Sequence, residues 1–288
     1  EAANNIDFPL QRLVSGAWTS PLSNRLLLEV RGQRRLERYD YVRPSAGDPA
    51  LQIIPVTDQA SGLLYRGGGY GSISQPSVQP YQVTLGDMST LSGALSYVTG
   101  THAFKVGFMD VWGTRDSDVR DSDTSLSYRV NTVNGVTIAN QLRMNATPFR
   151  RIEKQRAELG IYAQDTWKLQ RLTMNLGVRF DYYGNYFPEQ HLGPGRWVPT
   201  RDITLPETPW VDWKDVTPRI GASYDLFGDG TTAIKGTINK YMLAFGLQGI
   251  FGESSNPVSR MANFVTRNWN DANRDFVPDC DLFNPQVN

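Results

Sequence analysis

The chain has 288 residues with 29 basic and 29 acidic side chains, so it carries no net formal charge and no basic excess that would call for a nucleic-acid partner. It holds one cysteine, Cys280, and two histidines, His102 and His191, which excludes an internal disulfide and leaves a zinc site nothing to be built from. No run of about eighteen apolar residues occurs, which excludes a helical membrane span, while aromatic side chains make up 11% of the chain. Abundant aromatics in a polar, β-rich chain suit the interfacial girdles of an outer-membrane barrel, or a carbohydrate-binding surface.

The opening, EAANNIDFPLQRLV, has no basic region followed by an apolar core. An export signal is therefore expected upstream of Glu1, and both ends of the protein are expected to lie outside this chain. Residues 11–19 read as a strand, followed by the turn chemistry of Ser20, Pro21, Leu22, Ser23 and Asn24. Residues 25–38 alternate less cleanly, and the pattern is lost between about 40 and 80, where Gly67, Gly68, Gly69 and Gly71 cluster. A phosphate-cradling loop needs a strand before it and a helix after it, so that cluster reads as a flexible loop.

Residues 82–98 and 103–114 alternate on either side of Thr99-Gly100-Thr101-His102 and make a hairpin. A third hairpin is expected from 125–132 and 137–144, joined by Asn134-Gly135, the strongest short hairpin signal. The clearest stretch is 157–183. There Leu172, Met174, Leu176, Val178, Phe180 and Tyr182 alternate with Thr173, Asn175, Gly177, Arg179, Asp181 and Tyr183. Strict period two puts apolar side chains on one face and polar ones on the other. The run is longer than the five or six residues of an average strand, and it fits the roughly nine to eleven tilted residues that cross a bilayer. After a Pro- and Trp-rich loop expected at about 187–214, a fifth hairpin runs over 218–226 and 231–241, and the last stretch, 246–288, is loop-like.

The reading is of an all-β, antiparallel up-and-down meander: a partial transmembrane outer-membrane β-barrel of about ten strands in five hairpins, with no domain linker in 1–288. Turns within hairpins are short, and the long connections near 40–80, 187–214 and 246–288 fall on the opposite rim. That asymmetry matches the short periplasmic turns and long outer loops of such barrels.

Several residues carry a family resemblance. Tyr162-Ala163-Gln164-Asp165-Thr166-Trp167, a short turn, and Leu172-Thr173-Met174-Asn175-Leu176-Gly177-Val178-Arg179-Phe180-Asp181-Tyr182 resemble the YxQDxW…LTLNLGxRYD hairpin of TonB-dependent receptor barrels. Thr217-Pro218-Arg219-Ile220-Gly221-Ala222-Ser223-Tyr224-Asp225-Leu226 is similar to the SPRxGxxYD strand of the same family. Residues 18–26, 100–107 and 269–282 resemble the Oar-like subgroup. The resemblance implies a plugged barrel of about twenty-two strands that takes up a scarce ligand with energy from the TonB complex. The plug, the TonB box and the closing C-terminal strand are then expected outside this chain. Implied partners are outer-membrane lipid, the TonB complex through the plug, and a small-molecule, peptide or glycan ligand. Uptake rather than catalysis is expected; the alternative is a secreted β-rich module that binds carbohydrate or peptide.

Asp271, Asn273 and Asp275 have the alternate spacing by which a loop places oxygen ligands around calcium, and Asp279 and Asp281 would complete the shell. Phe276 and Leu282 stand where the EF-hand has Gly and Glu, and a solvated acidic loop is the other reading. Asp165, Arg179, Asp181, Arg219 and Asp225 read as lumen or interface charges rather than a catalytic set. His102 and His191 read as surface residues, and no Gly-x-Ser-x-Gly elbow supplies a nucleophile. Trp197, Trp210 and Trp213 crowd the 187–214 loop as candidate ligand contacts, although interfacial anchoring and loop packing account for them more simply.

Overall fold

The computed structural model describes residues 5–42, 54–65, 81–120, 124–243, 247, 254–262, 264–269 and 271–284. In chain order its first strands are β1 (Asn5–Pro21), β2 (Leu26–Val42), the short β3 (Val56–Asp58) and β4 (Leu64–Tyr65), β5 (Tyr81–Thr99) and β6 (His102–Arg120). They are followed by β7 (Leu126–Val133), β8 (Val136–Asn145), β9 (Phe149–Leu169), β10 (Leu172–Phe187), β11 (Gln190–Leu192) and β12 (Ile203–Leu205). The last are β13 (Thr208–Asp225), β14 (Ala233–Asn239), the short helix α1 (Pro257–Met261) and β15 (Phe264–Asn268).

Eight strands form one sheet in the order β1-β2-β5-β6-β9-β10-β13-β14, and every neighbouring pair is antiparallel. Its four short turns fall on one rim, three of them using left-handed backbone, at Gly100 (φ 49°), at Gln170 (φ 46°), and at Gly228 and Gly230 (φ 78° and 76°). The connections from β2, β6, β10 and β14 leave from the other rim.

Side chains that alternate in the sequence separate onto the two faces. Leu176 (40% exposed), Val178 (49%), Ile161 (51%) and Ile220 (51%) stand side by side on the outer face, with none of the described residues closing over them. Under a second sheet these positions would be close-packed. The buried apolar residues lie instead on the loop side: Val119, Leu126, Val130, Leu142, Met144, Phe187, Leu192 and Val258. The secreted-module alternative, which needs a packed core between sheets, has no counterpart in this arrangement.

The third hairpin differs from expectation. β7 and β8 pair with each other but join a separate five-stranded sheet, β15-β8-β7-β3-β4, in which β3 runs parallel to β7. β6 pairs directly with β9, so among the described residues the barrel sheet has eight strands rather than ten. The Asn134-Gly135 turn, with φ of 52° and 76°, dictates the local reversal; it carries no information about which strands lie alongside. What distinguishes them is burial: β7 and β8 turn Leu126, Val130, Leu142 and Met144 into the loop layer.

The expected 187–214 loop is also shorter. β13 begins at Thr208, so Trp210 and Trp213 sit on a strand, and the β11–β12 pair occupies part of the remainder. Val211 and Trp213 alternate with Trp210 and Asp212 there, a period that Pro206 and Pro209 obscure in the sequence. The expected 40–80 loop contributes β3 and β4, while the Gly67–71 cluster lies outside the described residues.

Candidate functional site

The inner face of the barrel sheet is a polar wall assembled by strand register. Tyr162 lies opposite Arg179, Arg179 opposite Thr217, Lys105 opposite Gln164, and Gln164 opposite Gly177. Lys105 Nζ donates to Glu29 Oε2 at 2.9 Å, and Arg31 reaches Glu29 Oε1 at 3.3 Å. Arg179 Nε donates to Asp181 Oδ1 at 2.5 Å, while Thr217 Oγ1 donates to Asp181 Oδ2 at 3.0 Å. Glycine makes the arrangement possible: a Cβ on Gly160 would lie 1.7 Å from Arg179 Nη2, so the guanidinium lies flat over a bare backbone. A groove of about 460 Å³ runs along this wall, lined by Lys105, Tyr162, Gln164, Asn175, Arg179 and Arg219. Donors and acceptors spread over five strands suit a polar solute or a polar protein surface, and wet barrels carry such a lining.

Of the five charges singled out from the sequence, Arg179, Asp181 and Arg219 line this wall. Asp165 faces outward at the turn rim, where His102 Nδ1 lies 2.6 Å from its Oδ2. The His102 ring stacks on both Phe104 and Trp167, at 5.2 Å each, and the group forms part of an aromatic girdle. Asp225 caps the β13–β14 turn by accepting from the backbone of Gly228 and Gly230, at 2.9 Å each. His191 pairs with Asp202 at 2.6 Å on the loop side.

Three residues that the sequence reading passed over hold the loop layer together. Asp58, buried at 2% exposure, accepts from Ser61 Oγ at 2.7 Å and from the backbone of Ala60 and Thr132 at 3.1 and 3.0 Å. The Ser61 hydroxyl and those amides hold its carboxyl below the usual carboxylate range. Arg201 donates to the carbonyls of Gly193 (2.6 Å), Ala146 (2.6 Å) and Pro148 (2.8 Å), and its burial lowers its basicity. Asn256 is fully buried, caps α1 through Val258 N at 3.0 Å, and donates to Glu153 Oε1 at 3.0 Å. The Asp58-Gln59-Ala60-Ser61-Gly62 string is an Asx-turn signal that sequence reading can find, whereas nothing local marks Arg201.

The aromatic candidates separate in the same way. Trp197 donates its indole N–H to the carbonyls of Thr124 and Ser125 (3.0 and 3.1 Å) and packs against Phe283 at 5.0 Å, so it ties loops together. Trp210 stacks on Phe187 at 5.5 Å, and Trp213 is an exposed residue of β13. In the acidic loop, Asp271 accepts from the backbone of Asp275 and Phe276 (both 3.1 Å), and Asn273 donates to Asp275 and Asp279 at 3.1 and 3.2 Å. Asp281 accepts from Phe283 N at 2.9 Å, and no group of three or more His, Cys, Asp or Glu converges on a metal position among the described residues.

An antiparallel meander with an apolar outer face, a hydrogen-bonding inner face, short turns on one rim and folded loops on the other is part of the wall of an outer-membrane β-barrel. A family model described as an outer membrane beta barrel domain matches residues 1–283, and the chain belongs to that family; its place is the bacterial outer membrane. No curated protein and no solved structure matches it.

Proposed function

We propose that the chain is a barrel segment of a TonB-dependent receptor of the Oar-like subgroup, which takes up a scarce small-molecule, peptide or glycan ligand rather than catalysing a reaction. The observation that carries this reading is the inner wall from Glu29 to Arg219, a continuous set of hydrogen-bonding groups facing the lumen below a folded loop layer. The 157–183 hairpin supports it through its resemblance to the receptor family. In that reading, the TonB complex acts through a plug contributed by another part of the protein, seated against the wall.

The test is uptake by cells expressing the complete receptor from mixed pools of labelled peptides, oligosaccharides and metal chelates, with TonB present and deleted. Accumulation that requires both the receptor and TonB is expected. Accumulation unchanged by TonB loss, or steady ion conductance of the purified protein in planar bilayers, refutes the proposal.

A further inference from the structure

The outer face changes character where it leaves the apolar belt on β9, β10 and β13. On β10 the outward run Leu176, Val178 and Phe180 passes into Tyr182 and then Tyr186. Leu159 and Lys214 flank Tyr182 on the neighbouring strands, and Lys154 is the β9 partner of Tyr186. Lys214 Nζ lies 5.6 Å from the Tyr182 ring centroid, and Arg156, at the register shift between β9 and β10, lies over the Tyr186 ring at 4.8 Å. From Tyr182 to Tyr186 the strand advances roughly 13 Å, so these cations occupy a band immediately beyond the lipid-facing side chains on the long-loop rim.

The patch is built, not merely exposed. Tyr182 folds along its own strand over Gly184, where an added Cβ would lie 2.6 Å from the hydroxyl; the phenol therefore points away from the belt and toward the cations. Lys154 and Lys214 have no carboxylate within ion-pair distance among the described residues. Arg156 meets Glu207 at 3.6 Å, with the two side chains 61% and 57% exposed, so that pair is weak. Asp212, outward on β13, is the other acid of the patch, which leaves three cations against two acids.

We infer that Lys154, Arg156 and Lys214, with the Tyr182 hydroxyl, form a band of donors that binds the phosphate groups of an anionic outer-leaflet lipid headgroup. The position decides this: long-loop rims of outer-membrane barrels face the outer leaflet, and cations at headgroup height attract anionic headgroups. The rim carrying the short turns instead shows Phe104, His102 and Trp167 stacked as an aromatic girdle on its outer face. This inference rests on the membrane placement of the barrel and is independent of TonB and of the transported ligand.

The experiment uses the complete receptor in detergent, with native mass spectrometry to read retained lipid A, dephosphorylated lipid A and inorganic phosphate in separate arms. Wild type is expected to retain lipid A in preference to its dephosphorylated form. The K154Q/R156Q/K214Q variant is expected to lose about fivefold in retention for each cation removed, while Lys235→Gln, the same change on the inner face, leaves retention unaltered. Heat-modifiable mobility establishes that both variants are folded. Equal retention of lipid A by wild type and the triple variant overturns the inference, as does equal retention of the phosphorylated and dephosphorylated lipids. Binding of inorganic phosphate with no lipid A preference shows a free-anion site and refutes the lipid assignment.

Discussion

Placing a lysine at Val178 or at Gln164 separates the two faces of the barrel sheet by a single register step, because Val178 pairs with Ala163 and Gln164 is the next residue on the same strand. Val178 lies near the middle of the outward run from Leu172 to Tyr182 and offers 49% of its surface outward, so a lysine there is forced into hydrocarbon. Lysine on the lipid face at the bilayer midplane costs about 2–4 kcal/mol, which lowers the folded-to-unfolded ratio by a factor of roughly 30 to 1,000. Gln164 faces the wet interior directly opposite Lys105, so Gln164→Lys is expected to cost only the cross-strand like-charge term of about 0.2–1 kcal/mol. The assay is denaturant titration of the complete receptor refolded into phosphocholine vesicles, followed by tryptophan fluorescence and heat-modifiable mobility. The reasoning fails if Gln164→Lys costs as much as Val178→Lys, since the outer face would then not be the one that meets lipid.

Asp58 has a lowered folded pKa, so its contribution to the loop layer is present above the ordinary carboxylate range and is lost as pH falls through the lowered value. Amide protection factors around 58–62 and 130–132 are expected to drop only in acid for wild type, but already at neutral pH for Asp58→Asn; identical profiles refute the role. Arg201→Ala removes three charge-assisted hydrogen bonds from the carbonyls of Ala146, Pro148 and Gly193. It is expected to loosen that junction by about 2–4 kcal/mol, read as protease cleavage within 190–202 that leaves the strands intact; an unchanged digestion pattern sinks it. The calcium reading of Asp271, Asn273, Asp275, Asp279 and Asp281 requires the loop to exchange its internal donors for a metal. Terbium is then expected to show emission sensitised by Trp269, which lies 6.3 Å from Phe276, with loss in Asp275→Asn. Silence at millimolar terbium, the weak end of calcium affinities in extracellular modules, removes the metal.

The hairpin of β9 and β10 was legible residue by residue, since period two over Leu172 to Tyr183 leaves only one way to divide apolar from polar side chains between two faces. Turn chemistry was legible for the same reason: Asn134-Gly135 and Gly100 act within a few residues of themselves. The sequence alone thus determined the alternation, the reversals and the contrast between short and long connections. Only the tertiary structure decided that β7 and β8 leave the barrel to join β3, β4 and β15, that Asp165 faces outward to His102, and that Arg201 bridges two loops. Pleat and turn are properties of neighbouring residues, whereas the choice among alternative sheet partners depends on burial summed over segments far apart in the chain. Val56 beside Tyr128 and Phe264 beside Asn145 are pairings of that second kind, and no local pattern encodes them.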